Sequence, residues 1–263
     1  VSGVVGNSFA LVADAIESAT DIVSSILVLL GLRLARKPAD ENHPYGHGKV
    51  EALTTFVVVA FLVASATGIA FQAVVNLSRP QEPPEIWTLW VLAGIVAWKE
   101  LSFRWVVRRS LLTGSTSLMA DAWHHRSDAI TSVMAFIGIA MAVWLGPGYE
   151  VADDWAALFA SGLILFNAFR IFRPALGEVM DEQLHPELVE RIREVSLGVA
   201  GITATEACHV RKAGTAFQVD LHAVVDGGIT VREGHTLAHR LEEAILEQLP
   251  QVDQVLVHVE PSH

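Results

Sequence analysis

Five long apolar stretches, parted by short polar loops, fill the first two thirds of the chain. Beyond Asp181 the pattern breaks into short alternating runs and amphipathic segments. The apolar stretches run from about Ser8 to Leu34, Val50 to Leu77, Ile86 to Val107, Ser115 to Leu145 and Trp155 to Ile171. At 1.5 Å per residue, each predicts a helix able to cross about 30 Å of hydrocarbon. The third carries Lys99 and Glu100, costly residues at membrane depth. Further on, Pro186 to Leu197 reads as a helix. Ile202 to Arg211 and Ala216 to Val225 alternate like strands, with Lys212 to Thr215 as the hairpin turn. Thr230 to Leu249 reads as an amphipathic helix with apolar Val231, Leu237, Leu241, Ile245 and Leu249, and Gln254 to Glu260 as a last strand. The expected fold is a polytopic α-helical membrane bundle over residues 1–178, followed by a small α+β domain of order α-β-β-α-β over residues 179–263.

Charge orients the spans. Basic residues follow span one (Arg33, Arg36, Lys37), span three (Arg108, Arg109) and the end of span five (Arg170, Arg173). The loops after spans two and four hold one arginine between them and several acids. The positive-inside rule then puts the C-terminal domain in the cytoplasm.

Composition agrees with a membrane protein carrying a soluble part: 52% of the 263 residues are hydrophobic. The single cysteine, Cys208, excludes an internal disulfide framework. From Asp181 onward there are fourteen acidic residues against six Lys/Arg, within a net charge of −11. That balance argues against nucleic acid and suits cations. The chain shows no signal peptide and starts with Val, the expectation for a fragment.

The chemistry lies in a repeat. Leu11-Val12-Ala13-Asp14-Ala15-Ile16-Glu17-Ser18-Ala19-Thr20-Asp21 recurs 107 residues later as Leu118-Met119-Ala120-Asp121-Ala122-Trp123-His124-His125-Arg126-Ser127-Asp128. Each copy sets two metal-type ligands four residues apart, Glu17 with Asp21 and His124 with Asp128, which stacks them on one helix face. The two helices are three spans apart and antiparallel, so the motif reads as an inverted repeat, the device that places transport sites near the bilayer midplane. The same offset implies a further helix ahead of residue 1, giving six spans in place of the five visible.

A carboxylate at the centre of a span costs about 2.5–3.5 kcal/mol, so this cluster carries a penalty of order 10 kcal/mol that a divalent cation would offset. Three oxygens and one nitrogen suit zinc tetrahedrally, and also ferrous iron or manganese. Asp14 and Asp121 share these faces, with helix packing or hydrogen bonding as their role. His125 lies about 100° around the helix from His124 and is set aside. Two further clusters stand outside the spans: Asp40, His43 and His47 in the first polar loop, and Cys208, His222, His235, His258 and Glu260 across the last strands and one helix.

At these motifs the chain resembles the cation diffusion facilitators, bacterial zinc and iron exporters in particular, across essentially its whole length. The paired A-D-A motifs, the run His43-Pro44-Tyr45-Gly46-His47-Gly48-Lys49 and the α-β-β-α-β tail carry the resemblance. It implies a ferredoxin-like cytoplasmic domain, a homodimer in the cell (inner) membrane, and alternating access with protons exchanged for metal. The metal implied is Zn2+, with Fe2+, Mn2+, Co2+ and Cd2+ as further candidates. The transport site maps onto Glu17, Asp21, His124 and Asp128. Glu17 departs from the Asp, His or Asn more usual there. A loop site maps onto Asp40, His43 and His47. A cytoplasmic binuclear site maps onto His222, His235, His258 and Glu260, with a further position at Cys208 or His209 and His239 as an extra ligand. A charge interlock at the dimer interface maps onto Lys49 and Asp181.

Two other classes compete with this reading. A membrane metalloenzyme would need an H-E-x-x-H motif or a nucleophile beside a base, and neither stands out. A metal-gated channel or sensor would move metal without proton coupling.

Overall fold

The structure, a computed structural model, describes residues 1–78, 84–113, 116–145, 149, 151–183 and 185–262; for residues 109–113, 116–125 and 127 it describes the backbone alone. One helical turn, α1 (Ser2–Val5), leads into five long helices: α2 (Phe9–Ala35), α3 (Val50–Leu77), α4 (Trp87–Thr113), α5 (Thr116–Leu145) and α6 (Val151–Val179). Then come α7 (Pro186–Leu197), β1 (Ala204–Ala213), β2 (Ala216–Val225), α8 (Val231–Gln248) and β3 (Val252–Pro261). The order α-β-β-α-β is the one the alternation predicts.

Among the described residues, four helical stretches are long and apolar enough to cross a membrane: Phe9–Ala35, Val50–Leu77, Asp128–Leu145 and Val151–Val179. Helix α4 is as long as α2 but carries Lys99, Glu100, Arg104 and Arg108, so its composition sets it apart from the other four. One charge is matched inside the bundle, Lys99 to Asp14, and another along the helix, Arg104 to Glu100 at 2.8 Å. Ile22, Val23, Ile26, Leu29 and Leu30 of α2 and Phe61 and Phe71 of α3 are exposed, as a lipid-facing surface requires.

The chain divides into two compact units, Val1–Ile26 with Val58–Ile171, and Leu27–Val57 with Phe172–His263. In the first, Asp153 of α6 caps α2. It accepts from the backbone N–H groups of Phe9 and Ala10 and from the Ser8 hydroxyl, satisfying donors that a helix start leaves open. Helix α6 runs on past Arg173 with Pro174 inside it, longer than the apolar stretch alone predicts.

In the second unit, β1 pairs antiparallel with β2, and β2 pairs parallel with β3. One sheet face packs Val210, Val219, Leu221, Ala223 and Val255 against Ile192 of α7 and Leu241 and Ile245 of α8. Pro186 opens α7 and a reciprocal capping box opens α8, where Thr230 accepts from the Glu233 N–H and Glu233 accepts from that of Thr230.

Candidate metal centres

Helix α2 presents Asp14, Glu17 and Asp21 at spacings of three and four residues, one stripe on one face. Asp14 and Glu17 are buried and Asp21 is half-buried. Asp128 of α5 is buried too, and the charges of Lys99, Asp128, Asp21 and Asp14 all act on Glu17. The structure therefore brings together three of the four residues that the repeat singled out. Glu17 is 7% exposed, and its Oε2 finds no hydrogen-bond partner among the described residues. A buried carboxylate oxygen left this way is costly unless a cation or proton completes it. The His124 backbone sits one turn before Asp128 on α5; its side chain, like that of Asp121, lies outside the described residues.

Asp14 is placed differently. Its Oδ1 accepts from Lys99 Nζ of α4 at 3.0 Å and from the Ser132 hydroxyl of α5, while Lys99 also donates to Ser132 Oγ at 2.8 Å. Three helices are tied at one buried point. Ser132 carried no signal in the sequence beyond lying one turn after Asp128. Lys99 did carry one, as a cation inside an apolar run.

In the loop between α2 and α3, Asp40, His43 and His47 each offer one ligand atom, all within 4.8 Å of one another. Asp40 Oδ1 lies 3.0 Å from His43 Nδ1, and Oδ2 lies 3.5 Å from His47 Nε2. His43 beside it, with help from Lys37, holds the Asp40 carboxyl well below the usual carboxylate range. His47 Nδ1 faces the Lys37 and Pro38 carbonyls at 3.3 and 3.2 Å. A proton on that nitrogen serves those carbonyls and leaves Nε2 bare towards Asp40, the arrangement a metal ligand needs.

The loop is held within its own unit. Tyr45 O accepts from the Gln218 side chain, and the Arg211 guanidinium lies over the Tyr45 ring. Gly48 meets the β1–β2 hairpin so closely that a Cβ there would stand 2.5 Å from the Ala213 carbonyl carbon. Lys49 Nζ reaches Asp181 Oδ1 at 3.0 Å, the pair the resemblance named.

On the sheet, His222 of β2 stands directly beside His258 of β3 in the parallel register. Their rings are 4.9 Å apart, and Glu260 Oε1 lies 2.8 Å from His222 Nδ1 and 3.7 Å from His258 Nε2. The ligand atoms of these three again fall within 4.8 Å. His235 and His239 stack edge to face on the exposed side of α8, 4.5 Å apart, outside that trio. His239 pairs with Glu242.

Cys208 corrects an expectation. It sits opposite Leu221 in the antiparallel register, and directly opposed residues share a face. Leu221 belongs to the packed face, and Cys208, 5% exposed, joins that apolar core, where burial pushes its thiol pKa up. His222, one residue on from Leu221, points to the other face. Cys208 is thus a core residue. His209, opposite Asp220, shares the face of His222.

Comparison with known proteins covers the chain almost end to end. Residues 1–180 match the family model for the cation efflux transmembrane domain, and residues 184–262 match that for the cytoplasmic domain of cation efflux proteins. The manganese efflux system protein MneP of Bacillus subtilis (strain 168) is 30% identical over 98% of this chain and 89% of its own length. The cation-efflux pump FieF of Pectobacterium carotovorum subsp. carotovorum (strain PC1) is 32% identical over 97% of this chain and 84% of its own. Magnetosome protein MamB of Magnetospirillum gryphiswaldense is 27% identical over 100% of this chain and 88% of its own.

Proposed function

We propose a specific cargo and coupling on one premise: this chain belongs to the cation efflux family. It is a multi-pass membrane protein with a cytoplasmic C-terminal domain, and it exports a divalent metal cation. The proposal adds that the cargo is zinc, bound by Glu17, Asp21, His124 and Asp128, and exchanged for protons by alternating access in a homodimer. One observation carries it: a buried carboxylate with an oxygen that has no partner among the described residues, under the charges of further carboxylates, where a helix crosses the membrane. Cation and proton compete for the same oxygens, so a more acidic exterior favours release.

A second cargo, manganese, draws support from two sides. Three of the four donors are hard carboxylate oxygens, and two relatives are named for manganese efflux. In this reading residues 1–178 form the transport domain and residues 179–263 the metal-binding and dimerisation domain. Asp40, His43 and His47, and separately His222, His258 and Glu260, would hold regulatory metal. His235, His239 and His209 are further candidates at the cytoplasmic site.

The test is flux in proteoliposomes holding the full chain. Zn2+ and Mn2+ compete, with and without an imposed pH gradient. Asp21→Ala and Asp128→Ala should abolish flux, and zinc should outcompete manganese. Flux indifferent to the gradient would overturn antiport in favour of a channel. Wild-type flux in the Asp128→Ala protein would overturn the site.

A further inference from the structure

Four carboxylates, Asp14, Glu17, Asp21 and Asp128, gather around one point of the bundle, yet they are not equivalent. Glu17 keeps a buried oxygen without a described partner, as a ligand awaiting its cation would. Asp14 is 3% exposed and spends Oδ1 on Lys99 and Ser132. The Lys99 side chain is 13% exposed, and its ammonium is divided between Asp14 and Ser132. Ser132 in turn lies 3.0 Å from the carbonyl oxygen of Asp128. The knot is thus joined to both ligand helices, one turn from Glu17 on α2 and one turn from Asp128 on α5.

We propose that Lys99 is a positioning residue that holds Asp14 out of the cargo's coordination and sets the charge that the cargo meets, so that it helps determine both affinity and metal preference. The inference rests on the transport-site assignment made above. A free Asp14 would stand on the same helix stripe as Glu17 and add a fourth carboxylate. Hard oxygen donors narrow the preference for zinc over manganese, and added negative charge slows release of any divalent ion. Lys99 removes both effects at once, because its charge cancels that of Asp14 and its geometry commits the oxygen. An ammonium suits this role, being a compact point charge with three donors and no lone pair to offer a metal.

The two partners should therefore fail in opposite directions. Asp14→Asn keeps the shape of the side chain but leaves the Lys99 charge facing the cargo, and should raise KM about tenfold. Lys99→Met frees Asp14, and should lower KM and kcat together about tenfold while moving preference from Zn2+ towards Mn2+. The double variant restores neutrality, and both constants should return to within about threefold of wild type.

The measurement is KM and kcat for Zn2+ and Mn2+ flux by the full chain in proteoliposomes, normalised to folded protein by size-exclusion chromatography. Two results would overturn the inference: singles that change only the yield of folded protein, or a double variant no closer to wild type than either single. If Lys99→Met does not fold, Asp14→Asn against the double still decides. Asp128→Ala, run alongside, separates the two levels. Its retention of flux sinks the transport site itself, whereas its failure beside wild-type KM in both singles sinks only the role of Lys99.

Discussion

The carboxylate cluster in the membrane and the imidazole cluster on the sheet solve opposite problems. In the membrane cluster, Glu17 and Asp128 are buried and one Glu17 oxygen has no described partner, so the site is held at a cost. On the sheet, Glu260 already bridges two histidines, both ligand strands are hydrogen-bonded to each other, and His258 is exposed. The first arrangement gains by taking up a cation or a proton. The second has its ligands pre-set by strand register and suits a resident ion. In the proposed roles, the site that empties each cycle keeps a buried oxygen without a described partner, and the site that stays filled takes its ligands from strand register.

The sharpest test of this contrast is to break one cluster at a time. Asp128→Ala should reduce zinc flux by more than about a hundredfold, because removing a charged partner from a buried site costs several kcal/mol. His222→Ala with His258→Ala should leave flux within about tenfold of wild type and weaken resident metal binding, read by equilibrium dialysis of the full chain. Equal losses in the two would erase the distinction. A smaller effect is expected at the hairpin. Gly48→Ala puts a methyl against the Ala213 carbonyl and should cost about 1–3 kcal/mol, seen as a lower melting temperature and faster proteolysis of the loop. The smallest is Thr230→Ala, which halves the capping box of α8 and should cost about 1 kcal/mol, a few degrees in the melt.

Much of the architecture is written in local pattern. The apolar runs bound α2 and α3 within a residue or two, and Pro186 fixes the start of α7. Where local pattern misled, a specific force won. The apolar run ends near Ile171, yet α6 continues through Pro174 to Val179. Strand β1 begins at Ala204, two residues later than the alternation suggests, and a register shift between Thr205 and Cys208 interrupts its pairing. That irregularity changes which residues face the core, so strict alternation does not hold through β1, and the resemblance left the outward position open between Cys208 and His209. The ligand stripe of α2 was legible because helical spacing alone defines it. The tie between Asp14, Lys99 and Ser132 was not, because it depends on how α2, α4 and α5 meet.

The sealed position of Cys208 has a practical side. A maleimide needs an accessible thiolate, and this thiol is both covered and raised in pKa by its surroundings. The native chain is therefore a quiet background for labelling. A cysteine introduced at exposed Tyr45 or Leu256 would be the reactive thiol, and a dye or spin label there could follow the loop or the sheet face through the transport cycle without first removing the native cysteine.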